Sequence, residues 1–437
     1  LAGARARGEL PPELDERYAW QVLLGRDRSI NAFALPGGYF GLHLGLVGAV
    51  ASRDELASVL AHELVHITQR HIPRLLSAQD RQAPLLLAAM VLGAIAASKN
   101  PQAGAALAVG GQAAVIQQQL NFSRDMEREA DRIGYGVMTQ AGFAGQGFVS
   151  MFEKLQAASR INDNSDWPYL RSHPLTTQRI ADMQQRQQSL ARQAPPVDLE
   201  AALVAGRARA LSRPGVDVLR AWAGEPAQPG FASRPLAQRA GALYAAALAQ
   251  AQLRDLPKAQ ALATQLALAV TGDGPAAQQA RLLQAELALQ AGEPAQVLKL
   301  LSGAPRPASA DVQGQAGRAA LLLRAQALVG TGQATEAAGA LQTWVSDHPR
   351  DAGAWQALAQ AHGAAGRTLR ALRAEGEVPM AHMDYAGAVD RWRAAQDFSR
   401  RQPGDNADLI EASIVDTRLR AAQAALKQQQ LDEMKRR

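Results

Sequence analysis

The chain has 437 residues, enough for two or three domains, with a formal net charge of +6, 47% hydrophobic and 5% aromatic residues. It contains no cysteine, which excludes disulfides and thiolate ligands, so any metal must be held by imidazole and carboxylate groups. No long Lys/Arg block with interleaved aromatics occurs, and charges alternate in sign along the predicted helices, which excludes nucleic acid as a partner and leaves a weak attraction to an anionic membrane surface.

The first 20 residues read as a leader helix with Pro11 and Pro12 near its start. Ile30 to Leu35 and Tyr39 to Leu44 read as two short strands joined at Pro36-Gly37-Gly38. A strand beside a cleft can pair with any extended peptide, because backbone hydrogen bonds are blind to sequence. His43 lies on the second strand, and its role is open at this point.

A helix follows from Ser52. Its polar start, Ser52-Arg53-Asp54-Glu55, gives way to apolar residues at Leu56, Val59, Leu60, Leu64 and Ile67, a helical rhythm. It carries His62-Glu63-Leu64-Val65-His66, the H-E-x-x-H pattern. Residues four apart share a helix face, so both imidazoles can grip one ion, with Glu63 close enough to act on a water. Two ionisable rings and a carboxylate on an apolar helix are costly to bury without a cation. His71, nine residues after His62, falls on the opposite side of the same helix by phase and reads as structural or exposed, not a ligand.

Pro84 to Ala97 is strongly apolar, and an uncharged Ala/Gly-rich run follows from Ala103 to Val115. The first stretch is shorter than the about 18–20 residues a membrane span requires and opens with proline. The expectation is a helical hairpin that covers the cleft or touches a membrane or partner.

The third ligand is expected in Phe122-Ser123-Arg124-Asp125-Met126-Glu127-Arg128-Glu129-Ala130-Asp131. Ser123 is a plausible helix N-cap. Glu127 and Asp131 share a face, whereas Glu129 is about 200° away from Glu127 and faces elsewhere. Glu127 is assigned as the third ligand, and Asp131 as the acceptor that fixes the tautomer of a ligand histidine.

Ala194-Pro195-Pro196 is a natural boundary, dividing the chain into 1–194 and 195–437. Beyond it come Ala/Leu helices with short turns. Leu321 and Trp355 are 34 residues apart, as are Gly332 and Gly366, which is the tetratricopeptide period. Trp355-Gln356-Ala357-Leu358-Ala359 resembles the opening of such a repeat, Pro349 falls at the terminal proline, and turns at Arg254-Asp255 and Gly292-Glu293 fit degenerate copies. About four helix pairs and a long final helix from about Asp405 are predicted, stacking into a curved solenoid with a concave binding surface and no catalytic chemistry. His348, His362 and His382 fall here and are read as non-catalytic.

H-E-x-x-H followed by E-x-x-A-D resembles the zinc metallopeptidase family of HtpX and the CAAX prenyl proteases, and within it the BepA-like members. Asn31-Ala32-Phe33-Ala34-Leu35-Pro36-Gly37-Gly38 and Ser172-His173-Pro174 with Arg179 are similar to two further family blocks, in matching order and spacing over roughly the first 185 residues. The resemblance implies one Zn2+ held by His62, His66 and Glu127, Glu63 as general base, Asp131 as supporting carboxylate, and Asn31, His173 and Arg179 lining the site. His173 either occupies the fourth zinc position in a self-inhibited resting state or donates a hydrogen bond to the developing oxyanion.

The resemblance also implies the fold: mainly α, with an α+β zincin-like domain bearing a small sheet, followed by an α-helical tetratricopeptide-repeat solenoid. The implied activity is that of a periplasmic endopeptidase, peripheral to the outer membrane and processed from a precursor. It would act in quality control of stalled or unfolded outer-membrane β-barrel proteins and engage the barrel assembly machinery through the repeats. A non-proteolytic chaperone or adaptor is the alternative. A prenyl-protein protease is disfavoured, because the several membrane spans of that branch are missing.

Overall fold

The structure is a computed structural model that describes residues 1–13, 18, 20–35, 37–75, 77, 123–159, 168–188, 198–272, 274–302, 313–401 and 406–436. The apolar hairpin expected between 84 and 115, the boundary at 194–196 and Pro36 lie outside the described residues, as do 14–17 and 19 of the expected leader helix. The chain forms two compact units, Leu1–Leu253 and Arg254–Arg437. Among the described residues no helix is long and apolar enough to cross a membrane.

The first unit opens with α1 (Ala2–Ala6), then three short strands, β1 (Gln21–Gly25), β2 (Ala32–Leu35) and β3 (Tyr39–His43). The sheet order is β1-β3-β2. The hairpin read from the sequence is present: β2 and β3 are antiparallel, with Leu35 opposite Tyr39 and Ala32 opposite Leu42. Gly37 and Gly38 turn the chain at φ +92° and +84°, a region closed to most side chains. Strand β1 was not foreseen. It pairs parallel to β3 from Gln21↔Tyr39 to Gly25↔His43. Its Val22, Leu23 and Leu24 are exposed, so it lacks the alternation that marks a half-buried strand.

After β3 come α2 (Leu44–Ala49), α3 (Arg53–Thr68), α4 (71–75), α5 (123–140), α6 (Gln146–Ser159), α7 (Pro168–Ser172) and α8 (Thr177–Gln188). Helix α3 runs through the middle of the core. Val59 and Ala61 pack with Leu42, Leu46, Phe148 and Phe152 on one side. Leu64, Val65 and Ile67 pack with Phe40, Ala130, Ile133 and Val137 on the other. Each of the larger buried side chains contributes about 1.5–3 kcal/mol of transfer free energy, so the helix bearing the H-E-x-x-H pattern is anchored on both flanks. Helices α9 (Leu199–Leu211), α10 (Val216–Gly224) and α11 (Leu236–Gln252) complete this unit, with α9 packed on α2 and α11. Arg53 clamps the N-cap of α9, its Nε donating to Asp198 Oδ2 at 2.7 Å.

The second unit contains α12 (Leu256–Ala269), α13 (Gly274–Gln290), α14 (Pro294–Leu301), α15 (Gln313–Gly330), α16 (Ala334–Asp347), α17 (Ala352–Ala364), α18 (Thr368–Ala381), α19 (Tyr385–Arg401) and α20 (Asn406–Arg436). Each helix packs on the next, and α13, α15 and α17 also stack on one another, the pairing of a helical-hairpin array. Gly332 and Gly366 take φ +80° and +74° in equivalent turns, which explains their 34-residue spacing. Trp355 is buried among Leu341, Leu358 and Ala374 and donates Nε1–H to Pro349 O at 2.9 Å, tying together the two residues singled out by the repeat pattern.

Candidate metal centre

Local sequence puts each side chain in place. Ser52 caps α3 by accepting from Glu55 N at 3.2 Å. The helix then presents His62 and His66 on one face. Helix α5 meets it with a stripe at i, i+3, i+4 and i+7: Glu127, Ala130, Asp131 and Gly134. Ala130 is fully buried. A Cβ on Gly134 would stand 3.2 Å from the Ala61 carbonyl, so the small residues let the helices approach until both acids reach His62. Helix α7 is docked by Tyr169 N donating to Ile30 O at 3.2 Å, and His173 N donates to Tyr169 O at 2.9 Å, which fixes His173 over the cluster. Helix α8 carries Arg179 in its first turn.

The ligand atoms of His62, His66, Glu127 and His173 all lie within 4.8 Å of one another. His62 Nε2 is 3.0 Å from His66 Nε2 and 3.3 Å from Glu127 Oε2, and His66 Nε2 is 3.4 Å from Glu127 Oε1. His173 Nδ1 is 3.3 Å from His62 Nε2 and 3.1 Å from Glu127 Oε1. Glu63 is buried, and its Oε1 makes no hydrogen bond among the described residues, although His173 Nε2 is 3.3 Å away. Asp131 Oδ1 accepts from His62 Nδ1 at 2.9 Å. Arg179 donates from Nε to Asp131 Oδ2 at 2.6 Å, from Nη2 to Asp131 Oδ1 at 2.8 Å and from Nη1 to Pro174 O at 2.8 Å, with Nη1 3.0 Å from Glu127 Oε2.

The electrostatics show buried carboxylates that stay ionised beside the imidazoles. Burial opposes ionisation of Glu127, but hydrogen bonds from His173 and His62 outweigh it and hold its pKa well below the usual carboxylate range. Burial likewise opposes ionisation of Asp131, and Arg179 reverses the balance. Burial would lower the His62 pKa, yet Asp131 and Glu127 raise it, whereas burial and then the charge of His62 push His66 down. Two imidazole nitrogens facing each other beside a buried carboxylate form a convergent donor set that matches a small divalent cation bound by nitrogen and oxygen. The residues fit a metal.

Of the residues expected at the site, His62, Glu63, His66, Glu127, Asp131, His173 and Arg179 stand together. Asn31 is placed by its backbone. It sits immediately before β2, where its carbonyl accepts from His43 N at 3.0 Å. His43 itself bonds Ser29 Oγ at 2.8 Å through Nδ1.

His71 is not among the convergent ligand atoms, as expected, but its placement on the opposite side of the helix is corrected. Helix α3 ends at Thr68, Arg70 takes φ +53°, and α4 turns His71 back against the site. His71 is buried, with Nδ1 2.9 Å from His66 Nδ1 and Nε2 3.1 Å from Glu129 Oε2. Glu129 does face away from Glu127, as helical phase requires, but it meets His71 and Arg74, whose Nη1 donates to Glu129 Oε2 at 2.8 Å. The missed signal was the polar Gln69-Arg70 pair at the end of the apolar rhythm, where the phase argument should have stopped.

Residues 10–187 match peptidase family M48. The chain is 37% identical over 258 residues to a putative beta-barrel assembly-enhancing protease of Vibrio cholerae, a match covering 58% of this chain and 51% of that one. It is 39% identical over 157 residues to the beta-barrel assembly-enhancing protease of Escherichia coli, covering 36% and 32% of the two chains. It is 31% identical over 170 residues to the mitochondrial metalloendopeptidase OMA1 of Schizosaccharomyces pombe, covering 38% and 46%. This chain thus spans about half the length or less of these relatives. A solved tetratricopeptide repeat protein from Parabacteroides merdae covers 62% of this chain and 98% of its own at 14% identity and a TM-score of 0.32, a likeness too slight to carry a fold argument. The family match and the four motif blocks coincide in one stretch, and over residues 10–187 the chain is similar to peptidase family M48.

Proposed function

We propose that the chain is a zinc-dependent endopeptidase of the bacterial periplasm that acts on outer-membrane β-barrel proteins during their assembly. The observation that carries this reading is the buried convergence of His62, His66, Glu127 and His173 with a spare carboxylate oxygen on Glu63 beside it. The printed names of the Vibrio cholerae and Escherichia coli relatives support the substrate class.

His62, His66 and Glu127 would hold the ion. Zinc, when bound, supplies Lewis acidity that polarises the scissile carbonyl and acidifies water. Glu63 takes the proton from the attacking water and returns it to the leaving amine. Asp131 holds His62 in the Nδ1–H tautomer, so that its Nε2 lone pair points into the cluster. Arg179 has its donors committed to Asp131, Glu127 and Pro174 O, which supports a role in positioning the carboxylates over direct contact with substrate.

His173 Nδ1 lies among the ligand atoms, which supports a resting state that it closes as a fourth ligand. The helices beyond residue 195 would then bind substrate and the barrel assembly machinery, with a peripheral contact to the outer membrane. The position of His173 also favours the second reading, a chaperone or adaptor whose zinc is structural.

Glu63→Gln tests both. The variant should keep one zinc per chain and lose cleavage of unfolded barrel protein and of casein. Cleavage at the wild-type rate refutes the catalytic assignment. Full rescue of outer-membrane integrity by Glu63→Gln in cells lacking the native protein favours the chaperone.

A further inference from the structure

We infer that His71 and Glu129 form a positioning relay that dictates which nitrogen of His66 faces the metal. The inference rests on the metallopeptidase reading and adds two residues to it.

The direction of the relay follows from donor chemistry, starting at its outer end. A carboxylate only accepts. Glu129 Oε2 accepts from Arg74 Nη1 at 2.8 Å and lies 3.1 Å from His71 Nε2, so the proton of neutral His71 sits on Nε2. His71 Nδ1 is then a bare lone pair. It is 2.9 Å from His66 Nδ1, and two imidazole nitrogens at that distance bond only when one carries hydrogen and the other does not. His66 Nδ1 must therefore carry the proton, and His66 Nε2 is left as a lone pair. That atom is the one that faces His62 Nε2 at 3.0 Å and Glu127 Oε1 at 3.4 Å.

Both imidazoles of the H-E-x-x-H pattern are thus set by carboxylates of α5. Asp131 acts on His62 directly, and Glu129 acts on His66 through a second imidazole. His71 is needed because of distance along the helix. His66 lies one turn farther from Asp131, and the break at Arg70 brings back a ring that spans the gap to Glu129. His71 is buried, so an unmatched ring nitrogen there would be expensive, which keeps every link of the chain in one orientation.

The test measures zinc affinity of the metal-stripped full chain by competition with a chromophoric chelator, with the fold monitored by circular dichroism. His71→Leu removes both hydrogen bonds and should weaken zinc binding about 10–100-fold, the usual effect of losing such a partner. His71→Gln should recover most of it, because its amide oxygen can accept from His66 while its NH2 donates to Glu129. Glu129→Leu, at a less buried position, should weaken zinc about 10-fold and carries the test if His71→Leu does not fold.

In the metal-free wild type, imidazole 15N shifts should report the Nε2–H tautomer for His71. Wild-type zinc affinity in both Leu variants, or an Nδ1–H tautomer at His71, overturns the relay. His66→Ala separates the two levels: if it loses zinc and His71→Leu does not, the relay alone fails. If His66→Ala also binds zinc as wild type does, the metallopeptidase reading itself fails.

Discussion

Arg179 grips Asp131 with two parallel donors, at 2.6 and 2.8 Å, and the oxygen that takes the longer of these bonds also accepts from His62. A guanidinium fork is thereby coupled to the orientation of an imidazole it never touches. All three groups are buried, so removing the cation strands two carboxylates, Asp131 and Glu127. Arg179→Met should cost about 3–5 kcal/mol, the usual effect of breaking a buried pair, seen as a large fall in the Tm of the first unit. Arg179→Lys should recover only part, because an ammonium cannot reproduce the bidentate geometry. A Tm within a degree or two of wild type for Arg179→Met would show that the pair does not hold the site.

The contact of Gly134 with Ala61 makes helix spacing a determinant of metal binding. Gly134→Leu should overpack the interface at a cost of about 1–3 kcal/mol and move Glu127 and Asp131 away from α3. Zinc affinity should fall in parallel with thermal stability. Loss of stability with unchanged zinc affinity would mean that the acids reach the histidines by some other route.

His173 is expected to restrain the enzyme. With its ring removed, His173→Ala should bind zinc more weakly, by roughly 10-fold on the scale of losing one contact near a metal, yet cleave unfolded casein faster than wild type at saturating zinc. Slower cleavage at saturating zinc would instead assign His173 to oxyanion stabilisation.

The repeat unit should carry its own acid sensitivity. His362 is buried on α17, and burial, then Arg370, Arg367 and Arg373, push its pKa down to about 4 from the ordinary 6.5. Glu411 pairs with Arg370 and Arg373, at 3.5 and 3.0 Å, but does not cancel their effect on the ring. The folded state holds the imidazole neutral while the unfolded chain protonates near pH 6.5. The associated stability is therefore complete above pH 6.5 and is lost as pH falls towards about 4. The magnitude is at most about 3 kcal/mol, reduced by solvent screening around a partly buried ring. Between pH 7 and pH 4.5, His362→Gln should lose less Tm in the second unit than wild type does; parallel profiles would exclude this residue as the source.

The sequence made the H-E-x-x-H helix, the Glu127/Asp131 face and the β2–β3 hairpin legible because each obeys a strict period over a short span. The helical array was legible for a related reason, since Gly332 and Gly366 mark turns whose backbone needs positive φ. What escaped were features made by breaks in periodicity. Strand β1 has a partner well along the chain and no alternating pattern, so nothing local announces it. His71 was misplaced because helical phase was carried through Arg70, where the backbone leaves the helix. The compact units divide after Leu253. Three helices beyond the prolines at 195–196 fold with the first unit, and helical composition alone could not assign them to either side.

Glu127, Glu129 and Asp131 ride on one rod, α5. A nascent chain then has only a weak grip on its ion: until that rod is seated against α3, neither imidazole is oriented by its carboxylate and the anionic ligand is missing. Proteolytic capacity would then switch on in a single event at the close of folding, and an incompletely folded copy could not digest its neighbours.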